Sequence, residues 1–304
     1  MKARLFFPAA RTIAIGNSIT VALTLCFGVS SAYAQKDFKS PEEAMTSFGN
    51  AVANNDEPTL KALLGNDFRE LIPPVGAEIR SRFLTAWDAS HAIQATGAEH
   101  ADIAVGNDGW TFPIPLVKSA QGWHFDTRAG VEEMRLRRIG RNELAVIQTM
   151  LAIYDAQREY AETDHDGSGV LAYATKLSSS PGKRDGLYWP TGSDDKPSPL
   201  GPAFMAAGAR NTGQAGYNGY HYKLLTSQGS HAPGGAYDYV AHGKLFGGFG
   251  VIAWPVRYGD TGIKSFMVSH AGQVYERDLG PDGAKKAAAT TSFDPGPTWT
   301  KVSP

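Results

Sequence analysis

The sequence predicts an α+β protein in two units, and three observations carry that reading. Near the start, capped helices precede short alternating strands and a hairpin turn. In the middle, from Arg141 onward, apolar residues recur at helical spacing until an acidic turn with two glycines, Asp164-His165-Asp166-Gly167-Ser168-Gly169. From Tyr220 to Asp278, short β-rich segments alternate with tight turns, the pattern of an antiparallel meander. The expected division is a signal segment at 1–34, a small α+β domain at 35–130, and a second α+β domain at 131–304 in which a long helix packs on an antiparallel sheet.

Lys2, Arg4 and Arg11 make a basic segment, Ile19 to Val29 an apolar one, and Ala32-Tyr33-Ala34 a small-x-small cleavage site. Cleavage after Ala34 places the chain in the periplasm or the medium. It also removes Cys26, the one cysteine, leaving no thiol, disulfide or cysteine metal site. The apolar run is short for a membrane span, with an uncleaved anchor as the alternative, and no later stretch approaches one.

In the first domain, Ser40-Pro41-Glu42-Glu43 reads as a capping box that starts a helix with Ala44, Phe48, Ala51 and Val52 on its buried face. Pro58 to Leu64 is a second helix closed by Gly65. Ile79 to Trp87 is a third, with Ile79, Phe83, Leu84 and Trp87 on one side. Strands are expected at His91 to Thr96, Ala101 to Val105, Thr111 to Lys118 and Trp123 to Thr127, the last two joined by a turn at Ser119-Ala120-Gln121-Gly122. Pro113 and Pro115 place the Thr111 strand at a sheet edge. This order resembles the small cone-shaped domains of the nuclear transport factor 2-like (NTF2-like) and cystatin-like kind, in which opening helices pack on a curved sheet.

Val131 to Arg138 reads as a helix leading to Gly140. The arginines between Arg135 and Arg141 form a solvated face or pair with Glu132, Glu133 and Glu143. In the central helix Leu144, Ile147, Leu151 and Tyr154 form one apolar row, with Val146, Met150, Ile153 and Tyr160 beside it. The acidic turn allows two readings. One is a polar turn without metal. The other is a weak calcium loop with Asp164, Asp166, Ser168 and the Val170 carbonyl as ligands. The bidentate glutamate of such loops is missing, because Thr175 stands at the twelfth position. Ser178 to Gly219 is a long irregular stretch that Tyr188 and Trp189 pin by packing. Strands follow at Tyr220 to Thr226, Ala236 to Ala241, Phe249 to Val256, Ser265 to Ser269 and Gln273 to Asp278, then a short helix at Ala284 to Thr290. A helix, an αβ loop and about four antiparallel strands resemble the heads of type IV pilins and pseudopilins. The separate domain before the helix and the ordinary signal depart from pilins, so filament assembly is not inferred.

A set of blocks spread over the mature chain resembles a bacterial family of unknown function, DUF2950. They include Phe112 to Lys118, Gly122 to Gly130, Arg137 to Ala145, Asp155 to Ala161, Pro181 to Pro190, His231 to Val240 and Ala253 to Gly259. The resemblance implies an exported envelope protein and no particular activity. It also implies acidic residues late in the DxDG loop, from which Ala172 departs.

The net charge of −1 provides no field to draw nucleic acid or an anionic membrane. No nucleophile elbow or zinc spacing occurs. The candidate polar cluster is Lys183, Arg184 and Asp185 with His221, His231 and Asp238. In an enzyme, a histidine would act as base, Asp185 or Asp238 would orient it, and Arg184 would hold an anionic group. The plainer reading makes Asp185 an ion-paired loop anchor. Gly234 and Gly235 allow close backbone approach to a partner, either the Tyr188-Trp189 loop or a ligand such as a glycan stacked on Trp189. The expectation is a non-enzymatic binding or assembly module with no cofactor except possible calcium, taking an envelope protein or glycan. An enzyme acting on an envelope polymer is the alternative. Convergence of Arg184, Asp185, His221 and His231 in one pocket would favour the enzyme.

Overall fold

The computed structural model describes residues 35–72, 76–191, 197–204 and 216–302, so the signal expected at 1–34 lies outside the described residues. The protein is α+β, as expected. It opens with α1 (Pro41–Ala53), α2 (Glu57–Leu64), α3 (Phe68–Leu71) and α4 (Ala77–Ala89). The Ser40 hydroxyl accepts the Glu43 N–H at 3.2 Å, and the Glu43 carboxylate returns to the Lys39 N–H at 3.1 Å. Asp56 caps α2 through the Thr59 N–H. One-turn α3 was not expected, since four residues carry no readable period. On α4, Trp87 is buried but Ile79 is 57% exposed, so the expected single apolar side holds only toward its C-terminus.

A four-stranded antiparallel sheet follows in the order β1-β2-β3-β4: β1 (His91–Ala95), β2 (His100–Val105), β3 (Leu116–Lys118) and β4 (Trp123–Phe125). The expected edge strand at Thr111 is corrected. Pro113 and Pro115 cannot extend a ladder, so they shorten the strand to Leu116–Lys118, and that remnant pairs on both sides. Phe48, Trp87, Phe112, Ile114, Leu116 and Phe125 fill the core between the helices and this sheet. Gly49 is required there, because a Cβ would lie 2.5 Å from the Trp87 ring.

The two expected helices around Gly140 are one, α5 (Thr127–Tyr160), 34 residues long. Asp126 caps it. Its first turns touch the N-terminal core through Gly130 and Met134. Its second half buries Val146, Met150, Ile153 and Ala156 in a separate cluster with Phe249, Val251, Phe266 and Val268. The expected boundary at 130/131 therefore falls inside a continuous helix. Of the row led by Leu144, Leu144 itself is off the core at 68% exposed, whereas Ile147 is buried and Leu151 and Tyr154 pack against the same cluster as the more deeply buried Val146-Met150-Ile153-Tyr160 row.

The arginines of α5 are more than a wet face. Arg135 pairs with Glu132 and reaches the Gly259 carbonyl; Arg137 pairs with Glu133 and donates to the Thr111 carbonyl at 2.7 Å; Arg138 pairs with Asp260. Asn142 donates to the Thr261 carbonyl at 2.8 Å. Among the described residues Glu143 pairs with no arginine and instead accepts the Ile263 and Lys264 N–H groups at 2.8 and 2.9 Å.

Beyond α5 come β5 (Lys176–Ser178) and β6 (Gly186–Tyr188), a parallel pair, and the short α6 (Pro202–Phe204). The rest comprises β7 (Tyr220–Leu225), β8 (Ser227–Gln228), β9 (Tyr237–Asp238), β10 (Val240–Ala241), β11 (Lys244–Leu245), β12 (Gly250–Pro255), β13 (Lys264–Ser269), β14 (Tyr275–Asp278), α7 (Gly283–Ala289), β15 (Ser292–Phe293) and β16 (Thr300–Lys301). The main sheet is antiparallel in the order β16-β14-β13-β12-β7. One face packs on α5. On the other, Leu225, Ile252 and Met267 pack with Ala287 of α7 and Phe293 of β15. Strands this deeply buried explain the near-continuous apolar run from Val251 to Ala253.

Candidate functional site

The C-terminal end of α5 organises the loops that follow it. Gln157 sits on the buried face at the spacing of Ile153 and Tyr160 and is fully buried. Its amide mimics a strand: it donates to the Ala174 carbonyl at 3.0 Å and accepts the Ala174 N–H at 2.8 Å. One turn on, the Tyr160 hydroxyl donates to the Arg184 carbonyl at 2.6 Å. Burial, followed by the nearby Asp185 and Asp166 charges, pushes that phenol up to about 12, so it remains a donor. The His165 ring stacks on Tyr160 at 4.0 Å, with Nε2 3.1 Å from the Tyr160 carbonyl.

Asp185 is a loop anchor. Its carboxylate accepts the Ser180 N–H at 2.7 Å, the Ser180 hydroxyl at 3.0 Å and the Lys176 ammonium at 2.7 Å. Burial works against its charge, but these donors hold its pKa at about 2. Gly186 follows because a Cβ there would lie 2.6 Å from the Ser178 and Ser179 backbone. Next, Tyr188 is half-buried against the helix-sheet core and Trp189 is 5% exposed, with the Arg184 guanidinium 5.4 Å over its ring. Trp189 thus packs, as one of the two expectations had it, and its ring is not an open stacking platform for a glycan.

The acidic turn faces the same region. The Asp164 carboxylate accepts the N–H groups of Asp166, Ser168 and Gly169. Lys244 of β11 brings its ammonium to Asp166, 2.8 Å from one carboxylate oxygen, and to the Ser168 hydroxyl. This holds the Asp166 carboxyl far below the usual range. The residues fit calcium poorly. Asp164 is occupied by backbone donors, a cation of the chain already sits on Asp166 and Ser168, and Thr175 replaces the bidentate glutamate. Among the described residues no group of three or more His, Cys, Asp or Glu is placed to hold a metal.

Between these two loops and the β10–β11 hairpin lies a cavity of about 660 Å³. Tyr160, His165, Asp166, Val170, Tyr173, Lys183, Arg184, Asp185 and Lys244 line it. Both carboxylates among its described lining residues are paired with lysines, whereas the Lys183 ammonium has no partner among the described residues.

The remaining candidates lie elsewhere. His221 is on β7, against Trp254 at 5.6 Å on the sheet face away from α5, where burial lowers its pKa. The His231 ring holds Asp294 at 3.1 Å, and its backbone N–H donates to the same carboxylate. Asp238 is exposed on β9. Gly234 and Gly235 both have positive φ, and that backbone conformation, not a close neighbour, is what calls for glycine: a Cβ at Gly234 would meet Gln228 and Tyr237 at 3.7 and 3.9 Å, and one at Gly235 would meet nothing within 4 Å. The Gln228 amide holds the loop by donating to the Pro233 and Gly235 carbonyls at 2.8 and 2.6 Å. Sequence reasoning missed Gln157, Gln228 and Lys244. Of these, only Gln157 left a signal, as a polar residue inside an apolar helical row.

A family profile described as a protein of unknown function, DUF2950, matches residues 35–302. Comparisons with curated proteins and with solved structures returned no match, so the NTF2-, cystatin- and pilin-like resemblances have no solved counterpart here.

Proposed function

The chain belongs to the DUF2950 family, and from that premise we propose that it is an exported binding module of the bacterial envelope whose ligand, an anionic glycan, enters the cavity at the end of α5. The export half rests on the signal pattern at 1–34 and is consistent with the absence, among the described residues, of a helix able to cross a membrane. The binding half rests on one observation: the cavity's own carboxylates are neutralised by Lys176 and Lys244, while Lys183 still offers an ammonium to an incoming anion. The partly exposed rings of His165 and Tyr173 supply apolar faces of the kind sugars use. The enzymatic alternative has less support, since His221, His231 and Asp238 do not line this cavity with Arg184 and Asp185.

Titration of the purified protein with uronate-bearing and neutral envelope oligosaccharides tests the reading. Binding to the anionic series should fall about tenfold in Lys183→Ala, the loss of one charge contact near 1.4 kcal/mol, and further in Lys183→Glu. Equal affinity of all three proteins, or no binding of any anionic oligosaccharide, would overturn it. Trp189→Ala is a poor probe, because truncating a buried tryptophan costs about 3–5 kcal/mol of stability.

A further inference from the structure

We propose that the Asp164–Gly169 turn is a calcium-type loop whose cation is supplied by the chain itself, the Lys244 ammonium, and that this latch fixes one wall of the cavity without metal. The spacing of Asp164, Asp166 and Ser168 is that of a loop folded around a positive charge. The fold keeps that arrangement. Gly167 and Gly169 take φ of 70° and 74°, and three backbone N–H groups wrap the Asp164 carboxylate. The Asp166 oxygens straddle the Lys244 Nζ at 3.0 and 2.8 Å, and the Ser168 hydroxyl completes its contacts.

Charge accounts for the substitution of ammonium for calcium. A divalent ion suits a loop with a further bidentate glutamate, and here Thr175 stands in its place. With Asp164 committed to backbone donors, one carboxylate remains for the cation, and one ammonium balances it. An ammonium also carries three N–H donors, matching the two Asp166 oxygens and the Ser168 hydroxyl. The Lys244 side chain is 25% exposed and that of Asp166 60% exposed, so the pair is solvated and acts as a positional tie more than as a large source of stability. Lys244 lies 78 residues from Asp166, so the latch ties the turn to the β10–β11 hairpin. The Tyr173 N–H, which donates to the Leu245 carbonyl at 3.0 Å, makes a second tie. Any effect on ligand affinity rests on the binding reading above; the latch itself does not.

Thermal melting of the full mature protein with millimolar calcium or with chelator tests the latch without any ligand. The native protein should melt at the same temperature in both. Lys244→Ala should melt about 2–4 °C lower in chelator. Millimolar calcium should restore little of that loss, because one carboxylate and one hydroxyl, without the bidentate glutamate that Thr175 replaces, do not hold a divalent ion. Asp166→Asn should melt lower by a similar amount, and Lys244→Ala combined with Asp166→Asn should lose little more than either alone, because the two side chains act as one pair. Calcium stabilisation of the native protein would overturn the proposal. So would an unchanged melting point for Lys244→Ala, its full rescue by calcium, or losses that add in the double variant. If a variant does not fold, calcium titration of the native protein followed by an indicator dye decides, since measurable binding there contradicts a loop already holding its cation.

Discussion

Replacing Gln157 by leucine keeps the side-chain volume and removes both hydrogen bonds to Ala174, which isolates the energetic role of the amide. Gln157 is fully buried and Ala174 is 1% exposed, so neither freed backbone group gains water in exchange. Leaving a buried N–H and a buried C=O unpaired costs about 1–3 kcal/mol each, and the two together about 2–4 kcal/mol once local relaxation is allowed. Gln157→Ala should lose roughly 1 kcal/mol more, for the cavity left beside Met150 and Ile153. For a chain of this size about 2–4 °C of melting temperature accompanies each kcal/mol, so Gln157→Leu should melt about 5–15 °C below the native protein. Circular dichroism at 222 nm follows the transition on a sample of the mature protein. A Gln157→Leu melting point within about 1 °C of native would refute the assignment, because it would mean that Ala174 finds other partners and that α5 does not position the acidic loop through this amide.

Two further outcomes follow from the same contacts. Glu143→Ala leaves the Ile263 and Lys264 N–H groups without their acceptor and should cost about 1–3 kcal/mol in urea unfolding. Glu143→Gln, which keeps an acceptor oxygen, should recover more than half of that. Asp185 has its folded pKa lowered to about 2 from an ordinary value of 3.8, so its contribution is present above pH 3.8 and is lost as pH falls toward 2. The carboxylate is partly solvated, so the amount is about 1 kcal/mol after screening. Melting temperature measured from pH 5 to pH 2 should therefore show a smaller acid loss in Asp185→Asn than in the native protein, with the difference confined to that window.

How much of this was legible in the sequence depends on the range of the interaction responsible. The caps at Ser40 and Asp56, the hairpin turn at Gly122 and the tight turn at Gly272 involve residues within a few positions of one another, and local pattern found them or their elements. The strands of the main sheet apart from β16 also showed: β7, β12 and β13 are six residues long with an apolar face, and β14 was marked by the Ala271-Gly272 turn that precedes it. Gly140 misled. A glycine inside a helix costs only about 1 kcal/mol, and here Ile139 is buried on one side of it while Arg138 and Asn142 grip the Asp260-Thr261 turn on either side. Those contacts bridge more than a hundred residues and outweigh the local preference. The same holds for the site. The anchor role of Asp185 was readable, but its partners were not: the sequence pointed to the adjacent Lys183 and Arg184, and the fold supplies Lys176 and Ser180. The Lys244 ammonium was not readable either, since nothing in the sequence near Asp164 points to a lysine 80 positions away on a two-residue strand. A motif that spells a metal loop therefore determines only the geometry of its oxygens. Which cation fills it depends on what the rest of the fold delivers, and in this protein β11 delivers one covalently.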